Sequence, residues 1–303
     1  MARAKQPKQI PQMSVAQFEA AFPNEEACDA YLVARRWPNG VICPRCGSDR
    51  PYPLKTMKFK WECPDCADSG YRFSNIAGTI FENTNKDLRE WFRVIHLMLT
   101  AKKGISSRQI GRYMGFGSVK TAWYMCHRIR AALVEKDMDK LGGVVEVDET
   151  FIGGKAYNKH GGRGGGGRGG LGSGKIPVVG AISRRGNVVA RVIDTVSADV
   201  LTRFVMDSVS DKVSLLVTDE WTGYRHVKKL YPHQVIRHTH GEYVIGAIHT
   251  QTIEGFWSIL KRGIVGSFHK VSKKYLPLYV AEFQFRYNNR HNSDIFGAAI
   301  AAC

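Results

Sequence analysis

Two Cys-x-x-Cys pairs, Cys43-Pro-Arg-Cys46 and Cys63-Pro-Asp-Cys66, stand sixteen residues apart. Each pair presents two sulfurs from one tight turn, and two such turns at this separation make a tetrahedral four-thiolate site for one zinc ion. Between them Tyr52–Trp61 alternates as a hairpin does, so the segment is expected to fold as a zinc ribbon. An iron–sulfur site or a redox pair are the alternatives, but no βαβ pattern flanks either knuckle. A closed site of this kind folds and positions a module and performs no chemistry itself. Arg45, Arg50, Lys55, Lys58 and Lys60, interleaved with Tyr52, Phe59 and Trp61, suit a phosphate-contacting surface, with a solvated basic face as the plainer alternative.

Charge points the same way. The chain of 303 residues carries 44 Lys+Arg against 27 Asp+Glu, a net charge of +17. Such a balance favours a polyanionic partner, nucleic acid before any anionic membrane. Seven cysteines, an odd number, and an N-terminus without an apolar leader argue against a disulfide framework. No apolar run is long enough to span a bilayer, so a cytoplasmic protein is expected.

The length calls for more than one domain. Residues 1–40 read as a basic arm followed by two helices, 41–80 as the ribbon and 85–140 as a helical region. Within the last, Ser106–Gly115 is a short capped helix that stops at glycine, and Ser118 caps a second helix running to about Lys136. A short helix, a glycine turn and a helix exposing Lys120, Thr121, Tyr124, His127 and Arg128 is a helix-turn-helix pattern. Lys120, Thr121, Tyr124 and Arg128 are the candidate DNA contacts.

From Gly142 to residue 292 the pattern becomes α/β. Gly143–Gly153 is an apolar strand carrying Asp148, and a Gly/Arg-rich insert at 157–175 is expected to be mobile unless nucleic acid orders it. Ile176–Ser183 and Asn187–Ile193 form a hairpin, Ala198–Val209 a helix, and Val213–Thr218 a strand ending at Asp219. A short strand near Gln234–Arg237 follows. Thr252 is expected to cap a helix whose apolar stripe is Ile253, Trp257 and Leu260, with Glu254 and Lys261 two turns apart at its edge. Residues 275–290 make a last helix. This order of elements is that of an RNase H-like fold, a mixed sheet with flanking helices, in which Asp148 and Asp219 lie on neighbouring strands. Asp219 and Glu254 are 35 residues apart. Three carboxylates so placed can hold two Mg²⁺ or Mn²⁺ ions about 4 Å apart for in-line phosphodiester chemistry. Glu149 and Glu220 follow the two aspartates and face the other way on a strand, so neither is assigned to metal. Trp221 and Trp257 read as core or helix-packing aromatics, and His249 as a cap or loop residue.

The motifs CPxCG…CPxC, VEVDETFIGG, VTDEWTGY and HTQTIEGFWSILKRG, with the helix-turn-helix, resemble the DDE-class transposases of bacterial insertion sequences, in the group with an N-terminal zinc ribbon. The resemblance covers residues 14–290. It implies that Asp148, Asp219 and Glu254 are the catalytic triad and that Lys261 contacts DNA near the reacting phosphate, with Arg262 beside it. It also implies binding of the element's terminal repeats and of target DNA, at least a dimer on DNA, and a place at the bacterial nucleoid. Gln251 stands where the family usually has Asn, which leaves open whether this position assists the metal. The expected activity is strand cleavage followed by transfer of the 3′-hydroxyl ends into target DNA. Two rivals remain: a DNA-binding regulator with an inactive nuclease fold, and an RNase H-like nuclease acting on hybrids or junctions.

Overall fold

The computed structural model describes residues 13–57, 60–66, 70–136, 138–153, 174–236 and 251–303. The basic arm before residue 13, nearly all of the Gly/Arg-rich insert, Lys58, Phe59 and His249 lie outside these residues. The chain divides into two units, one of residues 1–133 with 290–303 and one of residues 134–289.

In the first unit, Ser14 and Gln17 form a reciprocal capping box that starts helix α1, Val15–Ala21. Asn24 caps α2, Glu25–Arg36, by accepting from the Ala27 amide at 3.0 Å. A three-stranded antiparallel sheet follows, β1 (Tyr52–Pro53), β2 (Lys60–Cys63) and β3 (Tyr71–Ser74), in that order. It contains the expected hairpin and adds a third strand. Helix α3, Leu88–Thr100, buries Leu88, Trp91, Ile95 and Met98 as its periodicity requires. Asp87 at its N-terminus makes no side-chain cap. The Glu25 carboxylate does this instead, accepting from the Leu88 and Arg89 amides at 2.6 and 3.0 Å. Helices α4 (Ser107–Met114) and α5 (Val119–Ala132) are joined through Gly115, whose φ of 65° lies in the left-handed region open to glycine. Helix α5 ends short of the expected Lys136, with the buried Leu133 as its C-cap.

In the second unit the strands are β4 (Val144–Ile152), β5 (Ile176–Ser183), β6 (Val188–Val192), β7 (Leu215–Asp219) and β8 (His233–Ile236), in the sheet order β6-β5-β4-β7-β8. Strands β4, β5 and β6 are antiparallel, whereas β7 joins β4 in parallel and β8 joins β7 in parallel. Alternation along β4 and β5 divides the core between two faces. Val145, Val147, Val179 and Ala181 pack with Leu201, Phe204 and Val205 of helix α6, Ala198–Ser208. Val178, Ile182, Val188 and Ala190 pack with α7 (Gln251–Gly263) and α8 (Leu276–Asn288). The edge strand β6 is closed by side-chain amides of α8: Gln284 accepts from the Ala190 amide at 2.8 Å and Asn288 from the Val188 amide at 2.8 Å. This is the mixed sheet with flanking helices of an RNase H-like domain. None of the helices among the described residues is long and apolar enough to cross a membrane.

A last helix, α9 (Ile295–Ala302), belongs to the first unit. Phe296 stands edge-on to Phe92 with ring centroids 5.6 Å apart, lies 5.4 Å from Phe22 and 6.1 Å from Phe18, and completes a cluster that also holds Tyr31. The small residues of Gly297-Ala-Ala-Ile-Ala-Ala302 let this helix sink against its neighbours, with Ala299 and Ile300 fully buried. Truncation of Phe296 to Ala is expected to destabilise the first unit by about 3–5 kcal/mol, the range for loss of a buried aromatic. Chemical denaturation followed by hydrogen exchange of α2 and α3 amides measures it, and an unchanged profile would remove α9 from the core.

Candidate functional site

The parallel register Val144↔Leu215, Val145↔Leu216 and Glu146↔Val217, continued by two residues, sets Asp148 on β4 level with Asp219 at the end of β7. Burial, and then the nearby Asp219 carboxylate, push the Asp148 pKa up to about 6, with Glu254 adding a smaller upward effect. The three acids expected from the sequence therefore share one electrostatic environment. Their carboxylates do not close to a ligand shell: among the described residues, only the four cysteines gather within 4.8 Å.

Helix α7 is tied to β4 by a residue that sequence reading passed over. Glu146 is fully buried on β4, two residues before Asp148 and on the same face. Its carboxylate accepts from the Thr252 amide at 3.0 Å, the Ile253 amide at 3.1 Å and the Thr252 hydroxyl at 2.9 Å. Arg184, in the β5–β6 turn, donates to it at 3.0 Å. The helix begins at Gln251, so Thr252 lies in its first turn and is not the N-cap expected. The carboxylate of a neighbouring strand fills that role, a favourable place for negative charge at a helix N-terminus. The signal was present in the sequence as one acid inside the apolar run Val144–Val147.

A second tie runs through Trp257. Its indole Nε1 donates to Asp148 Oδ2 at 3.0 Å, so this side chain is more than the packing aromatic expected. The ring crosses β5 at Gly180, where a Cβ would come within 2.7 Å of it. Since Gly180 pairs with Asp148 across the ladder, only glycine there lets the indole reach the acid. Along α7, Ile253, Phe256, Trp257 and Leu260 are buried while Glu254 and Lys261 are exposed. Arg262 is exposed and donates back to the Ser258 carbonyl at 3.1 Å.

On the other face of β4, Glu149 accepts from the Tyr224 hydroxyl at 2.7 Å. Burial raises its pKa to about 7, with Asp219 and Asp148 pushing the same way. Glu149 thus faces away from Asp148 as alternation requires, yet stays within its field. Trp221, expected as a core or helix-packing aromatic, is 40% exposed.

In the ribbon, Cys43 Sγ lies 3.5 Å from Cys66 Sγ and Cys46 Sγ lies 3.6 Å from Cys63 Sγ. Four sulfurs at about 2.3 Å from a tetrahedral zinc ion stand about 3.8 Å apart, so the cluster fits one zinc closely. Gly47, at φ 74°, turns the first knuckle, and the Cys43 amide donates to the Ser48 carbonyl at 2.8 Å. The expected basic face is partly spent within the ribbon. Arg50 pairs with Asp65, and the Arg45 guanidinium lies 5.3 Å over the Tyr71 ring. Lys55 and Lys60 are exposed, whereas Trp61 is half-buried and donates to Asn75 at 2.6 Å.

Helices α4 and α5 pack closely where Gly111 meets Ala122. Lys120 and Tyr124 are exposed as expected, and Thr121 is half-buried. Arg128 is half-buried too, donating to the Tyr124 hydroxyl at 3.2 Å and the Glu82 carbonyl at 3.3 Å. His127, expected at the surface, is buried under Trp123, their rings 4.1 Å apart. The open face carries Tyr113 and Trp123 in its place.

Residues 140–288 match the ISXO2-like transposase domain, and residues 23–69 match the transposase zinc-ribbon domain. The two matches together cover well over half of the chain. This chain belongs to the zinc-ribbon group of insertion-sequence transposases. It is also 28% identical over 278 residues to an uncharacterized protein in the transposable element ISH50 of Halobacterium salinarum, across 88% of this chain and 91% of that one. The two family matches coincide with the two features built above, the four-cysteine ribbon and the carboxylate-bearing sheet.

Two outcomes are expected of this transposase. Replacing Glu146 by Ala strands two helix amides and the Arg184 guanidinium, and should cost about 3–5 kcal/mol; chemical denaturation of Glu146→Ala, Arg184→Ala and the double variant should give strongly non-additive losses. Additive losses would break the proposed link. Asp148, with a folded pKa near 6 against an ordinary 3.8, favours the folded state below pH 4 and loses that contribution as pH rises through 6. In metal-free buffer Asp148→Asn should therefore stabilise the protein at pH 7.5, on the order of 1–2 kcal/mol, and have little effect at pH 4. Melting curves at the two pH values check the sign.

Proposed function

We propose that this transposase cuts and joins DNA strands with Asp148, Asp219 and Glu254 as its catalytic carboxylates. The observation that carries the reading is that Asp148 and Asp219 each lie two residues beyond the paired Glu146↔Val217 on adjacent parallel strands and feel each other's charge, with the Glu254 helix held to β4 by Glu146 and Trp257. Three acids in one field, one of them with its pKa raised to about 6 by burial and by its neighbour and so still mainly ionised at neutral pH, form a site whose charge favours divalent cations. Mg²⁺ or Mn²⁺ held there by the three carboxylates would acidify the attacking hydroxyl and stabilise the leaving oxygen.

The protein's own part is placement. Trp257 fixes one oxygen of Asp148 and leaves the other directed elsewhere. Glu146 sets the start of α7, and with it the position of Glu254 one turn on. Lys261, two turns further along the same exposed edge, is suited to a phosphate next to the scissile bond. In the first step water replaces the 3′ oxygen at phosphorus. In the second the freed 3′-hydroxyl attacks a target phosphodiester, losing its proton and forming a new 3′ O–P bond while the target strand's own 3′ oxygen leaves and takes up a proton.

The ribbon, with its single zinc, and the α4–α5 pair are the modules suited to the element ends, through Lys120, Thr121, Tyr124 and Arg128 and the exposed lysines of the ribbon. Two ends require at least two copies of the chain on DNA. Each of Asp219→Asn and Glu254→Gln is expected to lower Mg²⁺-dependent nicking at the terminal repeats on a supercoiled plasmid by at least about 10³-fold, as removal of a unit of metal-ion catalysis does, with DNA affinity retained. Nicking that persists in either variant would refute the assignment, and salt-sensitive binding without nicking in the unaltered protein would favour a regulator.

A further inference from the structure

Trp221 is placed as no core residue would be. Among the described residues of the second unit it is the one aromatic side chain among the large apolar groups left exposed. It directly follows the β7 acid by two positions, and its amide donates to Asp219 Oδ1 at 3.1 Å. The indole rests on Gly223, where a Cβ would come within 2.6 Å of Cδ1 and Nε1, so glycine there is what lets the ring lie down on the turn. That turn is itself held: the Tyr224 amide donates to the Trp221 carbonyl at 3.2 Å, and the buried Tyr224 hydroxyl donates to Glu149 on β4 at 2.7 Å. The ring is therefore locked at its base and open on its outer side. Arg225, Lys228 and Lys229, all exposed, follow on the same connection.

A fixed, open indole beside a carboxylate proposed to hold the metal, with cations following it, is the combination that binds single-stranded nucleic acid by stacking. An ordinary surface position would not need a glycine seat and a buried tyrosine beneath it. We propose that Trp221 is a stacking site for an unpaired nucleobase at the end of the DNA strand handled by Asp219, so that strand separation at the element end is captured by the catalytic domain. This rests on the transposase reading above. Stacking tolerates any base, so the site recognises an unpaired end and carries no base sequence of its own.

The test uses the full-length, zinc-loaded protein and short duplexes in Ca²⁺ buffer, one fully paired and one with an unpaired end carrying 2-aminopurine. The unaltered protein should bind the unpaired end more tightly and quench the 2-aminopurine. Trp221→Ala should lose the quenching and bind the unpaired-end duplex about tenfold more weakly, with the paired duplex unaffected. Trp221→Phe, which keeps a ring, should retain most of both effects. Binding of the unpaired-end duplex by the unaltered protein without quenching would overturn the proposal, as would quenching that survives in Trp221→Ala. Neither result depends on cleavage, so either could occur while Asp219→Asn still abolishes nicking, and the stacking site could then fail without the transposase reading failing.

Discussion

A single buried carboxylate, Glu146, ties the first turn of α7 to the sheet of the second unit. A fully buried acid is costly unless its oxygens are saturated, and here four donors saturate it: two helix amides, one hydroxyl and one guanidinium. The arrangement joins three pieces of chain that are far apart in sequence: β4, the β5–β6 turn and the first turn of α7. The same device recurs in the first unit, where Glu25 of α2 accepts from the first two amides of α3. In both cases a carboxylate from another element accepts from the first-turn amides of a helix. A helix secured this way has its axial position set by tertiary structure, which suits one that must deliver a side chain to a site.

The same sheet face then carries a deliberate electrostatic imbalance. Glu146 is balanced by Arg184, but Asp148 sits two residues on with an indole for a partner and carboxylates for neighbours. Burial and like charge both disfavour its ionised form, and Glu149 behind it is raised in the same way. A cation placed there would relieve this unfavourable burial, and Gly180 leaves the room that lets Trp257 lie against β5 and reach Asp148. Gly223 beneath Trp221 repeats that use of glycine, as a flat surface on which an indole can rest.

Much of this was legible in the chain, and the gaps have physical causes. Apolar runs and a hairpin turn located β4 through β7, and placed Asp148 and Asp219 on strands and Glu254 on a helix, because strand ends and helix faces follow from local spacing. The four cysteines were legible for the same reason. Glu146 was not, because its role lies in partners 38 and 106 or more residues away, and alternation alone marks it only as an odd charge in an apolar strand. Surface assignments along α5 failed at His127, since the burying element is Trp123 one turn back on the same helix and competition between the two rings for solvent is not a periodic property. Trp221 was misread for a complementary reason: hydrophobicity argues for burial, and only the packed turn under it reveals that the ring is held open. Helix α9 was invisible because Gly297-Ala-Ala-Ile-Ala-Ala302 has little amphipathic contrast, being buried by its small size.

That last helix has a consequence for how the molecule is made. The aromatic cluster of the first unit draws Phe18, Phe22 and Phe92 from one part of the chain and Phe296 from beyond the whole five-stranded sheet. On the ribosome, the cysteine-bearing unit cannot close its core until residues 134–289 have been synthesised. A nonsense or frameshift lesion anywhere in that stretch removes the sheet and also leaves the upstream unit with an unfilled aromatic socket. Quality control by proteases acts on such open cores. The core of the first unit is thus completed only by a chain that has already passed through the second.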